Sequence, residues 1–180
     1  MLKGKTVVLG VTGCIAAYKA CEIVSSLKKK GATVIVIMTP HSTEFVQPLS
    51  FETLSGNRVI TDLFDRDFDF EVEHVALAKR ADVFVVAPAT ANTIGKIANG
   101  IADDMLTTTI MACKAPKIIC PAMNTNMYEN ENTTENIARL KKQGYKIIEP
   151  ISGRLACGDV GKGKMAEPET IVKAIEDILT

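Results

Sequence analysis

A turn with the sequence GVTGCIAA, at residues 10–17, joins a β-branched segment to a helical one. In an open α/β sheet, such a turn lies at the carboxyl end of a strand, where backbone N–H groups and the helix dipole attract a phosphate. We therefore expect this turn to bind a phosphorylated ligand, with an ordinary tight turn as the alternative. The turn departs from the GxGxxG fingerprint, and no acid ends the second predicted strand, so the ribose-binding carboxylate of an NAD site is missing.

Two further segments carry small polar side chains directly after β-branched runs. Residues 88–93, PATANT, leave room for a flat ring or a phosphate, and a helix capped by Thr90 or Asn92 is the alternative. Residues 121–128, PAMNTNMY, place Asn124 between methionines. Its amide suits a carboxylate or another amide, and the methionines offer an adaptable apolar wall. A turn in which Asn124 is left-handed is the alternative.

Two side chains could exchange protons. His74 is one of them, because an imidazole can act as a base or an acid in proteins, although an isolated histidine is more often a surface or packing residue. Cys157 lies in a glycine-rich segment with Arg154 and several lysines, which would allow closure over a ligand. The two histidines and the scattered cysteines show no zinc-binding spacing, so we expect no metal site.

Strand-like and helical segments alternate along the chain and must position these groups. Near-continuous apolar runs are typical of strands buried on both faces, and they occupy residues 6–9, 33–37, 82–86, 117–120 and 145–148. Amphipathic stretches, ended by glycine or opened by proline, occupy residues 15–30, 129–143 and 167–179. This alternation predicts an α/β fold with a three-layer, doubly wound parallel sheet.

Two segments interrupt this alternation. Residues 62–73 are rich in acids with interleaved phenylalanine, which indicates an irregular excursion. Residues 150–164 are rich in glycine, which is typical of a lid or a binding loop rather than of a passive connection.

The composition limits the class of protein. A length of 180 residues suits one domain over residues 1–180. The 21 Lys and Arg residues balance 21 Asp and Glu residues, so no excess of positive charge favours nucleic acid as a partner. No apolar run approaches the length of a membrane span, and an odd number of cysteines suits a reducing cytoplasm. We expect a cytoplasmic protein with neither nucleic acid nor a membrane as its partner.

Five motifs in this order resemble those of the flavin-containing cysteine decarboxylases, and among them the members that act on 4'-phosphopantothenoylcysteine in coenzyme A biosynthesis. The motifs lie at residues 10–17, 74, 88–93, 121–128 and 156–159. The resemblance covers about residues 5–175. Tyr128 stands where the family often has tryptophan, and the chain stops at Thr180, where many bacterial members continue into a ligase domain.

The resemblance implies a Rossmann-like flavoprotein that binds FMN and the small-molecule substrate 4'-phosphopantothenoylcysteine. The implied cofactor-binding residues are Thr12, Gly13, Cys14, Ile15, Thr39, Thr90, Ala91, Asn92, Thr93 and Ala122. The implied catalytic residues are His74, as base or proton relay, and Cys157, as proton donor. Asn124, Arg154 and Met127 would contact the substrate. The resemblance also implies a homotrimer, or an assembly of trimers, in which His74 of one subunit meets the asparagine motif of another.

In the implied reaction, oxidation of the CH2–SH carbon to a thioaldehyde provides the electron sink that decarboxylation needs. The resulting ene-thiolate is then reduced to 4'-phosphopantetheine, so the net reaction is redox-neutral. Two alternatives share the flavin site. A peptidyl-cysteine decarboxylase would need a lid shaped for a peptide, and a non-catalytic flavin-binding regulatory subunit is expected to carry long acidic or serine-rich extensions.

Overall fold

Five parallel strands form the central sheet of the computed structural model, which describes residues 1–64 and 73–180. The strands are β1 (Thr6–Val11), β2 (Thr33–Met38), β3 (Val83–Ala89), β4 (Lys117–Pro121) and β5 (Lys146–Ile147). Their spatial order, β2-β1-β3-β4-β5, confirms the predicted doubly wound parallel sheet. The order of strands reverses between β1 and β3, and sheets of this kind bind ligands in the crevice at the carboxyl ends of those two strands.

Helices connect the strands and cover both faces of the sheet. They are α1 (Ala17–Lys29), α2 (Pro48–Ser55), α3 (Glu73–Arg80), α4 (Ala91–Asn99), α5 (Met105–Ala112), α6 (Thr125–Glu129), α7 (Glu131–Lys142) and α8 (Pro168–Leu179), with a 3₁₀ turn at Pro40–Glu44. The single helix predicted over residues 129–143 is wrong at its start. Asn130 ends α6 and caps α7 by accepting a hydrogen bond from the N–H of Asn132. Within the described ranges, no helix is both long and apolar enough to cross a membrane.

Two apolar clusters, one on each face of the sheet, hold the three layers together. The first joins strand residues such as Leu9 and Val36 to α1, α2 and α8, through Ile23, Phe51 and Ile171. The second joins strand residues such as Val86 and Ile119 to α3, α4, α5 and α7, through Leu77, Ile94, Leu106 and Ile137. Because successive strand side chains enter opposite clusters and both clusters are buried, the strands appear in the sequence as continuous apolar runs.

The glycine-rich segment predicted as a lid forms an antiparallel hairpin of β6 (Ile151–Arg154) and β7 (Val160–Lys164). Its turn closes through two hydrogen bonds: the Leu155 N–H donates to the Asp159 carbonyl at 2.8 Å, and the Gly158 N–H donates to the Leu155 carbonyl at 2.9 Å. The regular strands escape sequence analysis because glycine and lysine take the place of the β-branched residues that usually mark a strand.

The base of this hairpin lies directly against the chain that follows β4. The Met123 N–H donates to the Gly163 carbonyl at 3.0 Å. Gly163 has a φ of 155°, and a Cβ at this position would overlap the Met123 carbonyl oxygen. A Cβ on Gly161 would overlap the Thr125 side chain. Two of the glycines therefore permit close packing of β7 against residues 123–125.

The acidic segment predicted to be irregular, residues 62–73, lies mostly outside the described residues. At its start, the Phe64 N–H donates to Asp62 Oδ1 at 2.9 Å, and at its end Glu73 begins α3.

Candidate active site

A cavity of about 560 Å³ opens at the carboxyl edge of the sheet. The turns after β1, β3 and β4 form its floor, and the hairpin covers one side. Ten residues proposed from the sequence line it: Gly13, Cys14, Ile15, Thr90, Ala91, Ala122, Asn124, Met127, Arg154 and Cys157. The volume is in the range of about 300–1,000 Å³ that is usual for small-molecule and cofactor sites.

The turns after β1 and β3 are joined by one buried hydroxyl. Thr12 Oγ1 donates to the Pro88 carbonyl at 2.7 Å and accepts from the Thr90 N–H at 3.0 Å, and Thr12 is 1% exposed. Thr90 in turn caps α4, since its hydroxyl accepts from the Thr93 N–H at 3.3 Å. The capping alternative for residues 88–93 is therefore observed, and Thr90 lines the cavity as well.

The β1 turn also packs tightly against the 3₁₀ turn beside it. A Cβ on Gly13 would lie 2.7 Å from the His41 Cβ, so glycine is required for this contact. The turn leads into α1, which has no acidic residue in its first turn. The positive end of the helix dipole therefore faces the cavity edge without a neighbouring carboxylate to oppose an anion.

Asn124 holds the start of α6 and faces the hairpin. Its backbone has φ −57° and ψ 150°, so the left-handed alternative is wrong. The side-chain oxygen accepts from the Asn126 N–H at 2.8 Å. The amide nitrogen points to the tip of the hairpin, 3.1 Å from Asp159 Oδ2 and 3.4 Å from Cys157 Sγ.

The Cys157 thiol lies at this tip and also contacts Asp159, with 3.3 Å between Sγ and Oδ2. Cys157 is exposed, whereas the other four cysteines are buried or half-buried, and none of the five forms a disulfide. Cys14 lines the cavity, and burial raises the pKa of its thiol. Cys157 is thus the most accessible thiol, and it is next to the amide of Asn124.

An ion-pair network fixes β7 to the helices beside the cavity. Glu149 accepts hydrogen bonds from Lys141 at 2.7 Å, from Lys162 at 3.1 Å and from the Tyr128 hydroxyl. Burial opposes ionisation of Glu149, but these three donors outweigh it and lower its pKa to about 2. Burial, followed by the hydrogen bond to Glu149, raises the pKa of Tyr128. The Lys162 ammonium also lies 5.2 Å from the centre of the Tyr128 ring.

Lys19 lines the cavity and was missed by sequence analysis. Its ammonium lies 2.7 Å from Glu167 Oε2, and only 10% of its side chain is exposed. Glu167 also contacts Lys164 at 3.1 Å, and hydrogen bonds from the two lysines lower its pKa. The signal in the sequence was a lysine in the first turn of α1, between Tyr18 and Ala20, on a part of the helix that is otherwise apolar.

Five residues proposed for the site are not among the side chains that line this cavity within the described ranges: Thr12, His74, Thr39, Asn92 and Thr93. Thr12 is buried beneath the floor, Thr39 is buried beside the 3₁₀ turn, and the Thr93 backbone and hydroxyl bond to Thr90. Asn92 is exposed on α4. His74 is half-buried on α3, which packs on α5 as part of the second apolar cluster.

The sequence of this chain matches a known protein family and several known proteins. The model of the family described as Flavoprotein matches residues 1–180. The chain is similar to the coenzyme A biosynthesis bifunctional protein CoaBC of Bacillus subtilis, with 52% identity over 176 residues, which cover 98% of this chain and 43% of that protein. The chain therefore spans less than half the length of that relative.

Two other comparisons cover the full length of the matched protein. A probable phosphopantothenoylcysteine decarboxylase of Streptococcus mutans is 47% identical over 177 residues, which cover 97% of this chain and 99% of that protein. The crystal structure of SpaF, described as an FMN-dependent cysteine decarboxylase, matches with a TM-score of 0.85 and 30% identity over 100% of both chains.

Proposed function

Because this chain belongs to the flavoprotein family, we propose that it is an FMN-dependent decarboxylase that converts 4'-phosphopantothenoylcysteine to 4'-phosphopantetheine and CO2. The observation that carries this proposal is the meeting of the Asn124 amide and the Cys157 thiol, 3.4 Å apart, beside a cavity at the carboxyl ends of β1 and β3. Support also comes from the similarity to the Streptococcus mutans protein over nearly its whole length. The reaction would belong to coenzyme A biosynthesis in the cytoplasm.

The residues of the cavity fit a flavin mononucleotide. The N-terminus of α1 and the β1 turn, with Gly13, would receive the phosphate, and Thr90 and Ala91 would border the isoalloxazine ring. Ala122 provides a small apolar surface, and Ile15 a larger one, for a planar ring. Thr12 would act indirectly, because its hydroxyl fixes the turns after β1 and β3 to each other. Bound flavin supplies an acceptor, and later a donor, of two electrons, which permits a redox-neutral decarboxylation.

The amide of Asn124 would bind the carboxylate that is lost as CO2. Its Nδ2 already contacts a carboxylate oxygen, that of Asp159, so its geometry suits this group. Arg154 lines the same cavity and would clamp the substrate by charge, and Met127 would provide an adaptable apolar contact. Together they would hold the breaking C–C bond in a fixed orientation.

Two side chains would handle protons. His74 would serve as base or proton relay while the CH2–SH carbon is oxidised to a thioaldehyde and CO2 departs to leave an ene-thiolate. Cys157 would donate a proton while that ene-thiolate is reduced. Cys157 suits this role because it is exposed at the tip of the hairpin and touches the group that would orient the substrate.

A second copy of the chain would complete the site. His74 does not line the cavity of its own chain among the described residues, which agrees with a trimer in which His74 serves the cavity of a neighbour. Apolar side chains at the mouth of the cavity support such an interface: Ile15 is 56% exposed and Tyr18 54% exposed. Burial of these two side chains against a neighbouring subunit would remove their apolar surface from water.

The first experiment is a visible spectrum of the purified protein, followed by turnover of authentic substrate. A flavin band near one equivalent per chain, with CO2 and 4'-phosphopantetheine formed in equal amounts, would support the proposal. The proposal fails if the protein cannot be loaded with FMN, or if apoprotein stripped of FMN releases CO2 as fast as the loaded protein.

A peptidyl-cysteine decarboxylase remains the second candidate, because SpaF is described as an FMN-dependent cysteine decarboxylase and matches the whole chain. A peptide that ends in cysteine should be turned over more slowly than 4'-phosphopantothenoylcysteine if the small-substrate proposal is right. The opposite order of kcat/KM would favour the second candidate.

A further inference from the structure

We propose that the Asp159 carboxylate and the substrate carboxylate exchange places on the Asn124 amide, so that loss of CO2 brings the Cys157 thiol to the carbon that must be protonated. The inference rests on the proposed function and assigns to Asp159 a positioning role. In this proposal, the loss of CO2 is the event that allows the tip of the hairpin to return to Asn124.

The donor capacity of Asn124 is fully used by the hairpin in this structure. The side-chain oxygen accepts from the Asn126 N–H, which leaves only the two N–H donors of the amide for other partners. Nδ2 lies 3.1 Å from Asp159 Oδ2 and 3.4 Å from Cys157 Sγ. A substrate carboxylate can therefore take this amide only if the tip of the hairpin gives up its contacts.

Because of their charge, the Asp159 carboxylate and the substrate carboxylate cannot both bind the Asn124 amide at the same time. Two ionised carboxylates that compete for one neutral amide repel each other, and no lysine or arginine is paired with Asp159 among the described ion pairs. Arrival of the substrate carboxylate would therefore expel Asp159. Its conversion to neutral CO2 would remove the competitor, and Asp159 could return to the amide.

The movement of Asp159 would carry Cys157 with it. The Leu155 N–H bonds to the Asp159 carbonyl, and the Gly158 N–H bonds to the Leu155 carbonyl, so residues 155–159 form one closed turn. Cys157 also contacts Asp159 directly, with 3.3 Å between Sγ and Oδ2. The base of the hairpin is fixed against residues 123–125, so the tip is the part that can swing.

The Cys157 thiol lies close to where the carbon that must be protonated would be. When the C–C bond breaks, its electron pair passes into the C=S group and leaves a C=C–S⁻ unit and CO2. The carbon that lost CO2 would then take a proton from the Cys157 S–H, which would restore C=S on the neighbouring carbon. A flavin bound at the turns after β1 and β3 would supply the two electrons that reduce this C=S group. The protonated carbon is the one whose carboxylate was held by Asn124, and Cys157 Sγ lies 3.4 Å from the same amide nitrogen. Solvent returns the proton to the Cys157 thiolate.

The test compares the flavin-loaded Asp159→Asn and Asp159→Glu variants with wild type in single turnovers, measuring CO2 and the ratio of oxidised ene-thiol to reduced product by mass spectrometry. Asp159→Asn should release CO2 at the wild-type rate. Its ratio of ene-thiol to reduced product should rise roughly tenfold or more, because the variant loses one hydrogen bond to a charged group. Asp159→Glu, which keeps the carboxylate, should recover part of the reduction. Asp177→Asn, at an exposed position of α8, is the matched control and should behave as wild type.

A second measurement follows the hairpin itself. In the His74→Asn variant, which is expected to bind substrate without turnover, hydrogen exchange at residues 155–159 should be faster with 4'-phosphopantothenoylcysteine bound than with 4'-phosphopantetheine bound. The inference is overturned if exchange is equal in the two complexes, or if folded, flavin-loaded Asp159→Asn gives the wild-type product ratio. If wild type itself releases no CO2, the proposed function fails and this inference fails with it.

Discussion

Replacing Thr12 by valine should weaken both the fold and the flavin site, because one hydroxyl joins the two turns that would hold the cofactor. Valine has nearly the shape of threonine but can neither donate nor accept a hydrogen bond. The Pro88 carbonyl would lose its donor at 2.7 Å, and the Thr90 N–H would lose its acceptor at 3.0 Å. Thr12 is 1% exposed, so water cannot replace the lost hydroxyl without a rearrangement.

The expected magnitude follows from these two groups. A buried polar group left without a partner costs about 1–3 kcal/mol, so the two groups together should lower the free energy of unfolding of Thr12→Val by about 2–6 kcal/mol. This is a large part of the roughly 5–15 kcal/mol that stabilises an ordinary domain. Separation of the two turns should also weaken FMN binding, by roughly tenfold for each 1.4 kcal/mol that the bound state loses.

Urea unfolding, followed by circular dichroism on apoprotein, measures the first effect, and titration of apoprotein with FMN measures the second. Thr12→Ser is the matched control: it keeps the hydroxyl and removes one methyl group, so its loss should be nearer 1 kcal/mol. The reasoning is refuted if Thr12→Val unfolds within about 0.5 kcal/mol of wild type, which is the range of an inconsequential surface change. A Thr12→Ser variant as unstable as Thr12→Val would assign the effect to packing instead of hydrogen bonding.

Four further predictions concern single side chains. Asn124→Asp should abolish CO2 release while FMN stays bound, because two carboxylates repel; a wild-type rate would show that Asn124 does not meet the substrate. Cys157→Ser should still release CO2 but accumulate the oxidised ene-thiol, and a normal yield of reduced product would remove its acid role. His74→Asn should be inactive. Co-expression of His74→Asn with Asn124→Asp should restore part of the activity if each site lies between two subunits, because some sites then combine the intact His74 of one chain with the intact Asn124 of another. Each variant alone is the control, and mixed oligomers that stay inactive argue against a shared site. Glu149→Gln should make the free energy of unfolding less dependent on pH in acid. The pKa of Glu149 in the folded protein is about 2, below the ordinary 4.5, so the stability that Glu149 contributes is present above about pH 4.5 and is lost as pH falls towards 2. Equal acid-unfolding curves for the variant and wild type would contradict this.

Most of the sheet could be predicted because its strands are buried on both faces. Runs such as residues 33–37 contain only apolar or β-branched side chains, and residues 34–37 each enter one of the two apolar clusters. The hairpin escaped prediction as a regular element, since β7 contains Gly161 and Gly163, which permit close packing against the chain after β4. Those contacts are between segments far apart in sequence, and local patterns do not encode them.

The cavity could be predicted where its residues directly follow strands or lie in the first turns after them, and not at Lys19 on α1. Thr90, Ala122 and Asn124 come directly after β3 or β4, and strand ends meet at one edge of a parallel sheet. Lys19 reaches the cavity from α1 and is held by Glu167, a residue 148 positions away. His74 was proposed because an imidazole can exchange protons near neutral pH, and the resemblance added its role; on α3 it is not among the side chains that line the cavity of its own chain in the described residues.

The seam between β7 and residues 123–125 divides the hairpin into two regions that should tolerate change differently. At Gly161 and Gly163, any larger residue collides with the chain beneath, so this end of the hairpin has little freedom to vary. The distal loop at residues 155–159 is exposed, and insertions at exposed loop tips are usually accommodated. Residues of the distal loop other than Cys157 and Asp159 can therefore change with little effect on the fold, while the floor of the cavity stays constant.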